Sequence, residues 1–265
     1  MSKNGPIALV FHTAFIVFML APLVVVCLVA FTSKGYISMP TEGFSLRWFR
    51  AILENPDFID AFLMSLYLAI VSASIALAIS VPASLAIARH RFPGRAAFTA
   101  FFLSPLMIPH VVLGVSFLRF FTEVGLSGTF IGLALSHVII IMPYALRLVL
   151  ASVTGLSRDA ESAAVSLGAS NWTVFRRITL PLIVPGIAGG WVLAFITSFD
   201  ELTMTVFVAS PSTITLPVRM YNHITETIDP LIASLSAALI FVTVIFMVIL
   251  DRLYGLDKLL VGRGN

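Results

Sequence analysis

Long apolar stretches alternate with short polar segments along this chain. Six stretches hold about 20 or more mostly apolar residues each, at positions 7–31, 61–88, 96–118, 126–146, 182–209 and 231–250. A helix rises about 1.5 Å per residue, so about 20 apolar residues cross the hydrocarbon core of a bilayer, which is about 30 Å thick. The pattern therefore predicts an all-α membrane protein with six transmembrane helices.

Charged residues are scarce in this chain. They make up 11% of its 265 residues, whereas 59% are hydrophobic and the mean hydropathy is +1.04. An average soluble domain carries roughly 25% charged residues, so the composition excludes a soluble globular protein and a disordered chain. The single cysteine, Cys27, cannot form an internal disulfide, which excludes a secreted disulfide scaffold. Because no linker or low-complexity segment interrupts the chain, we predict one transmembrane domain over residues 1–265.

The first apolar stretch has two possible interpretations, a signal peptide or a retained helix. A signal peptide has an apolar region of about 7–15 residues, followed by a cleavage site of small residues. This stretch is longer than that, and no such site closes it. It is therefore predicted to be retained as the first transmembrane helix.

Prolines inside the apolar stretches predict irregular helices. Proline has no backbone N–H and clashes with the carbonyl group four residues earlier, so it kinks or breaks a helix. Membrane helices tolerate this where neighbouring groups satisfy the freed backbone atoms. We expect kinks at five positions, namely Pro82, Pro105, Pro109, Pro143 and Pro185.

Basic residues are concentrated at one end of the predicted helices. Cytoplasmic segments of membrane proteins carry an excess of Lys and Arg. With the N-terminus inside, the inner segments hold eleven of the sixteen basic residues and four acidic ones, and the outer segments hold five basic and seven acidic residues. The sequence therefore predicts an N-in/C-in topology. The net charge of +3 is too small to indicate a nucleic-acid partner.

The inner segment at 157–181 has the pattern of two short helices joined by a glycine. Acidic residues, among them Glu161, fall in the first turn of the first helix, where they complement the helix dipole. Gly168 suits the left-handed turn that ends a helix, and Ser170 can cap the helix that follows. Pro181 is expected at the turn into the fifth transmembrane helix.

Two features of this segment predict that it binds another protein. Ala163 and Ala164 leave a helix surface without large side chains, which a partner can approach closely. Trp172 and Phe175 supply large apolar side chains on the second helix. We therefore predict that the segment projects from the inner face of the membrane and docks onto a cytoplasmic protein.

The same segment resembles the EAA loop of permease subunits of ABC importers. That pattern is Glu-Ala-Ala, three residues, Gly, nine residues, then Ile-x-Leu-Pro. Residues matching in type and spacing are Ala163, Ala164, Gly168, Ile178, Leu180 and Pro181. The glutamate position is Ser162 in this chain, and Glu161 stands one residue earlier. These eight residues form the predicted ATPase-coupling loop.

The resemblance extends over nearly the whole chain, and residues 44–66 and 198–221 are similar to the second permease of spermidine/putrescine-type importers. It implies the type I ABC importer permease fold, with a cytoplasmic coupling helix between spans 4 and 5, in a bacterial inner membrane. The implied partners are two cytoplasmic ATPase subunits, a second, related permease subunit, a periplasmic solute-binding protein and membrane lipid. A heterodimer of permeases is favoured over a homodimer.

The resemblance also implies a non-catalytic subunit. The sequence contains no G-x-x-x-x-G-K-[ST] phosphate loop, so it cannot hydrolyse ATP in the manner of P-loop enzymes. We therefore expect no cofactor on this chain, and we expect ATP and Mg²⁺ on the partner ATPase.

Asp200 and Glu201 are the only charged residues inside the six apolar stretches. A charged side chain at membrane depth costs roughly 2.5–3.5 kcal/mol on insertion scales, so it usually faces a cavity or a partner. Neighbouring residues of a helix point about 100° apart, so both carboxylates cannot reach one spot. Two hypotheses follow. The pair attracts a cationic cargo along the translocation pathway, or it supports a subunit interface or lies in the outer headgroup zone.

Several function classes are compatible with a six-helix membrane chain. The leading hypothesis is a permease subunit that imports a small cationic solute, such as putrescine or spermidine, with another small organic solute as the alternative cargo. A secondary transporter would show internal repeats and several charges near the bilayer midplane, and neither is visible. An intramembrane enzyme needs convergent catalytic residues, and the sequence offers none. The five histidines have no metal-ligand spacing, so no metal site is predicted.

Overall fold

The computed structural model describes residues 5–38 and 43–254, and these residues fold into helices joined by short segments. The α-helices, in chain order, are α1 (Pro6–Ala30), α2 (Arg47–Glu54), α3 (Pro56–Arg89), α4 (Arg95–Leu103), α5 (His110–Glu123), α6 (Phe130–Thr154), α7 (Asp159–Ser166), α8 (Asn171–Val174), α9 (Leu180–Phe199), α10 (Thr205–Val208), α11 (Leu216–Glu226) and α12 (Leu231–Tyr254). A 3₁₀ turn at Ser104–Met107 follows α4, and a π-helical turn at Phe175–Thr179 joins α8 to α9. Among these residues the only β-type pairing is a single bridge between Thr32 and Phe44.

The predicted apolar stretches coincide with long helices. In the part of the chain that the structure describes, the helical stretches able to cross a membrane are Pro6–Ala30, Pro56–Arg89, Phe130–Thr154, Asn171–Phe199 and Leu231–Ile249. A sixth crossing is present if Arg95–Met107 and His110–Glu123, which form a bent pair, count as one span. The predicted all-α membrane fold is therefore confirmed.

The third predicted stretch, 96–118, is not a single straight helix. Its two helical parts, Arg95–Met107 and His110–Glu123, meet at an angle of 103°. The bend lies at Pro109, because a proline pushes the residue before it out of the helical region. Ile108 is accordingly extended, with φ −101° and ψ 128°. The expected kink is in this case a break.

The fifth predicted stretch, 182–209, is too long. Helix α9 ends at Phe199, and a non-helical segment precedes the short helix α10. The Glu201 carboxylate accepts a hydrogen bond from the Met204 N–H at 2.7 Å. In a continued helix that N–H would donate to the carbonyl group of Asp200. Apolar composition alone therefore overestimated the helix by ten residues.

The fourth predicted stretch, 126–146, is shifted toward the C-terminus. Helix α6 begins at Phe130, because Thr129 caps it by accepting a hydrogen bond from the Gly132 N–H at 3.1 Å. It continues to Thr154, beyond Arg147, which extends from the exposed side of the last turns. The inner segment that follows is correspondingly shorter than its sequence suggests.

The helices group into two compact units. The first comprises the described residues up to Asp60 together with Arg219–Ile249. In it, Ser234 Oγ donates to the Ala30 carbonyl oxygen at 2.8 Å, which connects α12 to the end of α1. The second unit contains Ala61–Val218 and all of the predicted site residues. Whether residues 1–265 act as one domain stays a prediction.

The second unit is built on close packing between α6 and α9. Gly186 and Gly190 of α9 face α6, where a Cβ atom at Gly190 would lie 3.3 Å from the Ala145 carbonyl oxygen. Small residues spaced by four let two helix backbones approach closely, and the resulting van der Waals packing is one of the forces that associate helices in lipid. Buried Ala145, Val149 and Ala194 fill the contact.

Three serines connect α3 to α6 at a constant register. Each donates from Oγ to a carbonyl oxygen 62 residues further along the chain, at distances of 3.3 to 3.4 Å. The pairs are Ser72 with Ala134, Ser80 with Met142, and Ser84 with Leu146. A constant separation means that the two helices run in the same direction. Spans 2 and 4 of an alternating topology must do so.

The predicted inner and outer segments also sort to opposite ends of this unit. At one end, Arg158 Nη2 donates to the carbonyl oxygens of Ala88 and Arg89, at 3.1 and 3.2 Å. At the other end, Ser210 Oγ donates to the Gly128 carbonyl oxygen at 2.9 Å. The two predicted inner loops are therefore adjacent to each other, and so are two of the predicted outer segments.

Substitution Gly186→Ala is expected to destabilise the α6–α9 contact. A Cβ atom there would overlap the Ser152 side chain and lie 3.2 Å from the Leu148 carbonyl oxygen. Overpacking of this kind costs about 1–3 kcal/mol, so the purified protein should unfold at a lower temperature in detergent. Gly35→Ala is the control, because a Cβ at Gly35 meets no atom within 4 Å. Equal melting temperatures for the two variants would contradict the packing described.

Candidate functional site

Residues 157–181, hereafter the coupling segment, form the predicted helix–glycine–helix element. Gly168 has φ +89° and ends α7. Its N–H donates to the Val165 carbonyl oxygen at 2.9 Å, and the Ala169 N–H donates to that of Ala164 at 3.0 Å. This pair of bonds is the Schellman motif, which satisfies carbonyl groups at a helix end and requires a left-handed residue. Ser170 then caps α8 by accepting from the Thr173 N–H.

The chain passes from α8 into α9 without a turn, contrary to the expectation at Pro181. The stretch Asn171–Phe199 is one helical path, interrupted only by the π-helical turn at Phe175–Thr179. Pro181 lacks the N–H that would donate to the Arg177 carbonyl group, and its ring would clash there in a regular α-helix. A wider π turn accommodates such a misfit. The fifth span is therefore continuous with α8 of the coupling segment.

Glu161 faces its own chain. Its Oε1 accepts hydrogen bonds from Arg89 Nη2 at 3.1 Å and from Thr179 Oγ1 at 2.8 Å. The side chains of the ion pair are only 14% and 18% exposed. The neighbouring Ser162, at the glutamate position of the EAA pattern, is exposed. The carboxylate thus joins α7 to the end of α3 and to the start of the fifth span.

This end of the site also contains three residues that the sequence did not single out as contacts, namely Arg89, Arg158 and Thr179. The Arg158 guanidinium lies on the last carbonyl groups of α3, where a positive charge complements the helix dipole. Their only signal in the sequence was a basic bias of the inner segments. The partners stand 18 to 72 residues apart, so local spacing could not pair them.

Three large apolar side chains are exposed on the surface of the coupling segment. Leu167 is 89% exposed and Trp172 is 67% exposed, with Val165 beside them at 49%. Ala163 is also exposed. Exposed apolar groups of this size mark interaction surfaces. The predicted role of Trp172 agrees with this arrangement. The sequence did not single out Leu167, because this residue comes directly after the end of α7 and is not part of the helix.

The remaining residues of the EAA pattern point elsewhere. Ile178 is half-buried in the π turn. Leu180 packs on a buried cluster that contains Val149 and Ile183. Pro181 lies in the first turn of α9. The pattern therefore combines an exposed part, around Ala163 and Gly168, with a part that holds the base of the fifth span.

Asp200 and Glu201 have different environments, although they are adjacent. Glu201 is 7% exposed, and its Oε2 lies 2.9 Å from His110 Nδ1. Its other oxygen accepts from the Met204 N–H. Asp200 is exposed, and its carboxylate accepts no hydrogen bond from the residues that the structure describes. The structure separates the predicted pair into a buried, hydrogen-bonded carboxylate and an available one.

A buried histidine holds the segment that carries these carboxylates. We name residues 198–205 the elbow. His137 of α6 is fully buried, and its two ring nitrogens lie 2.8 Å from Ser198 Oγ and 3.0 Å from Thr205 Oγ1, one at each end of the elbow. With His110, two histidines thus fix the elbow on α5 and α6.

Neither site resembles a metal centre. Across residues 5–38 and 43–254, no three side chains of His, Cys, Asp or Glu gather as metal ligands. The arrangement instead offers two surfaces at the two ends of one helical path: the exposed apolar face of the coupling segment, and the available carboxylate of Asp200 at the elbow.

Comparison with known proteins covers most of the chain. Residues 78–256 match the family described as "Binding-protein-dependent transport system inner membrane component". The spermidine/putrescine transport system permease protein PotC of Escherichia coli (strain K12) is 30% identical over 255 residues, which are 96% of this chain and 95% of that protein. The putrescine transport system permease protein PotI of the same strain is 30% identical over 230 residues, 84% of this chain and 82% of that protein.

A solved structure has the same fold. It is a chain from a bacterial ABC transporter involved in the import of the acidic polysaccharide alginate, with a TM-score of 0.72 and 14% sequence identity. The superposition covers 96% of this chain and 100% of that chain. The predicted type I ABC importer permease fold is thereby confirmed.

Glu161→Gln is expected to loosen the coupling segment, because it removes the charge that pairs with partly buried Arg89. Local opening should become at least about fivefold more frequent, equivalent to ~1 kcal/mol. Limited proteolysis with trypsin, followed by mass spectrometry, should show faster cleavage after the exposed Arg176 and Arg177. Glu123→Gln, which removes an exposed ion pair with Arg119, is the control. Equal cleavage rates would exclude a positioning role for Glu161.

Proposed function

The chain belongs to the family of binding-protein-dependent transport system inner membrane components, and from this membership we propose that it forms the pathway for a small cationic solute in an ATP-driven importer. The proposed cargo is a polyamine such as putrescine or spermidine. The available carboxylate of Asp200, beside a carboxylate that is already hydrogen-bonded, is the observation that carries this proposal.

The charge balance at the elbow supports a cationic cargo. Glu201 is occupied by His110 and by a backbone N–H, so it is a poor ligand for a mobile solute. Asp200 presents a negative charge with no partner among the described residues. An ammonium group passing this point would gain an ion pair. The names of the relatives, PotC and PotI, state polyamine transport for those proteins, and the local chemistry of this chain suits the same class of solute.

The coupling segment is the proposed docking site for a cytoplasmic ATPase subunit. Its exposed Leu167 and Trp172 supply an apolar surface, and its base is held by the Glu161–Arg89 ion pair. This chain has no phosphate loop of its own, so we expect ATP and Mg²⁺ to bind to the ATPase subunit. We expect two copies of that subunit in the transporter. One copy would receive this segment, and the other would receive the corresponding segment of a partner permease.

The continuous helix between the two surfaces suggests how motion is transmitted. Asn171–Phe199 contains 29 residues and spans about 43 Å at about 1.5 Å per residue. A displacement of the coupling segment on closure of the ATPase pair would therefore reach the elbow through one rigid element. In this mechanism the elbow moves together with the parts of α5 and α6 that hold it, and the access of Asp200 alternates between the two sides of the membrane.

Further partners follow from the importer class. A periplasmic solute-binding protein would deliver the cargo, in keeping with the family description. A second, related permease would complete the pathway, and we favour a heterodimer. Another small organic solute is the alternative cargo, since a carboxylate binds any compact organic cation.

Asp200→Asn is expected to slow polyamine uptake, because it removes the available charge without changing the size of the side chain. In proteoliposomes that contain the complete transporter, the uptake rate at saturating loaded binding protein should fall roughly fivefold. ATP hydrolysis stimulated by the binding protein should persist. Unchanged uptake of labelled putrescine and spermidine would remove the cargo role of Asp200.

Glu201→Gln serves as the matched comparison, because it alters the neighbouring carboxylate. Its loss disturbs the hydrogen bond to His110, so we expect less assembled transporter and a lower melting temperature. Uptake per assembled complex should stay closer to wild type than in Asp200→Asn. The reverse order of uptake rates would assign the cargo contact to Glu201 instead.

Replacing Leu167 and Trp172 together by serine is expected to weaken ATPase docking. The double variant loses the most exposed apolar groups of the coupling segment, together with the ring contact between Trp172 and Phe175, whose centroids lie 5.6 Å apart, but it keeps the Glu161–Arg89 ion pair that holds the segment. The ATPase subunit should be recovered in reduced amount with the tagged permease. Ile228→Ser, a change at an 82% exposed apolar residue in a predicted outer segment, is the control. Full recovery of ATPase with the double variant would place docking elsewhere.

A further inference from the structure

A concave basic site lies where α3 is joined to α4. It is lined by Ala88, Arg89, His90, Arg91, Arg95 and Arg158. No acidic residue is among them. Its shape and its charge indicate an anionic ligand, and the contacts of each cation show which charges are available to bind it.

Two of the arginines are already engaged. Arg89 is paired with Glu161, and Arg158 donates to the last carbonyl groups of α3. The Arg158 contact covers the negative end of the α3 dipole, which would otherwise repel an anion. His90, Arg91 and Arg95 are exposed, and their side chains form no hydrogen bond or ion pair with the described residues. Arg91 and Arg95 therefore carry two uncompensated positive charges on one concave surface.

An apolar aromatic surface begins directly beside these charges. Phe101 is 69% exposed and Phe98 is 37% exposed, both on α4, whose first residue is Arg95. Phe98 packs on Phe92 and on buried Phe102, with ring centroids 5.9 and 4.8 Å apart. A ligand that fits both parts has a negatively charged group and a long apolar part.

The position of the loop places the charges at the membrane boundary. Only five residues, 90–94, separate the end of α3 from the start of α4. Both helices continue into apolar sequence, so a loop this short cannot leave the headgroup layer. Inner leaflets are rich in anionic lipids, and basic pockets between membrane helices on this side bind their headgroups.

We propose that Arg91 and Arg95 bind the phosphate group of an anionic phospholipid, whose acyl chain lies along Phe98 and Phe101. Guanidinium groups match phosphate oxygens in a bidentate geometry, and they give up hydration more readily than ammonium groups. The exposed phenyl rings distinguish this ligand from a free phosphate ion, which has no apolar part. The bound lipid would lie against Arg89 and Arg158, the two arginines that hold the coupling segment.

Native mass spectrometry of the complete transporter tests this proposal. The complex is titrated with phosphatidylglycerol in phosphatidylcholine-containing micelles, and the apparent Kd of the tightest adduct is measured. Each arginine near an anionic surface contributes about a fivefold factor, so R91Q/R95Q should weaken the adduct by about 30-fold. R147Q is the matched control, because Arg147 is an exposed inner arginine outside the site. Equal affinities for wild type and R91Q/R95Q, or an equal loss in R147Q, would overturn the proposal.

A second arm separates lipid from free phosphate. F98S/F101S should weaken the phosphatidylglycerol adduct several-fold without changing binding of soluble glycerol 1-phosphate. Glycerol 1-phosphate should displace the lipid only at much higher concentration. If it competes with equal affinity, or if F98S/F101S has no effect, the site binds phosphate alone and the lipid proposal fails. Thermal unfolding of each variant checks that the complex remains folded.

Discussion

Every backbone polar group inside a bilayer needs a partner within the protein, and this constraint accounts for the irregular parts of the structure. Three serines of α3 donate to carbonyl groups of α6, which connects the two helices. At Pro109 the chain breaks instead, and at Pro181 a π turn absorbs the missing N–H. At the elbow the Glu201 carboxylate accepts a hydrogen bond from the Met204 N–H, which no longer has a helical partner because α9 has ended. At the elbow, a side chain thus replaces a backbone hydrogen bond that the helix no longer makes.

The few charges of the chain divide into those that hold the structure and those that remain available. Glu161 and Glu201 are held within the protein by Arg89 and His110. Asp200, by contrast, keeps its charge free at the elbow. The division follows burial. A carboxylate that is removed from solvent requires hydrogen-bond donors, whereas an exposed carboxylate is solvated and remains available to a ligand. An acidic pair in a sequence therefore does not share one role, even when its members are adjacent.

The sequence predicted those parts of the structure that are determined by interactions between residues close together in the chain. The apolar lengths predicted the spans, and the glycine and serine of the coupling segment predicted its turn and cap, because those signals act within a few residues. The sequence did not predict the pairs Arg89–Glu161 and His110–Glu201, whose members are 72 and 91 residues apart. It also overestimated the fifth span, since hydropathy does not register a side chain that captures a backbone N–H. Charge excess located the inner face but could not tell an engaged arginine from an available one.

The π turn at Phe175–Thr179 has a consequence for the geometry of the whole fifth span. A π turn contains one residue more than an α turn, and each residue of a helix corresponds to a rotation of about 100°. The turn therefore sets the angle about the helix axis between Trp172 at one end and Asp200 at the other. Removing one residue from it would leave both surfaces intact but facing different directions. The length of this single helical turn thus determines how the docking surface and the cargo contact are oriented relative to each other about the helix axis.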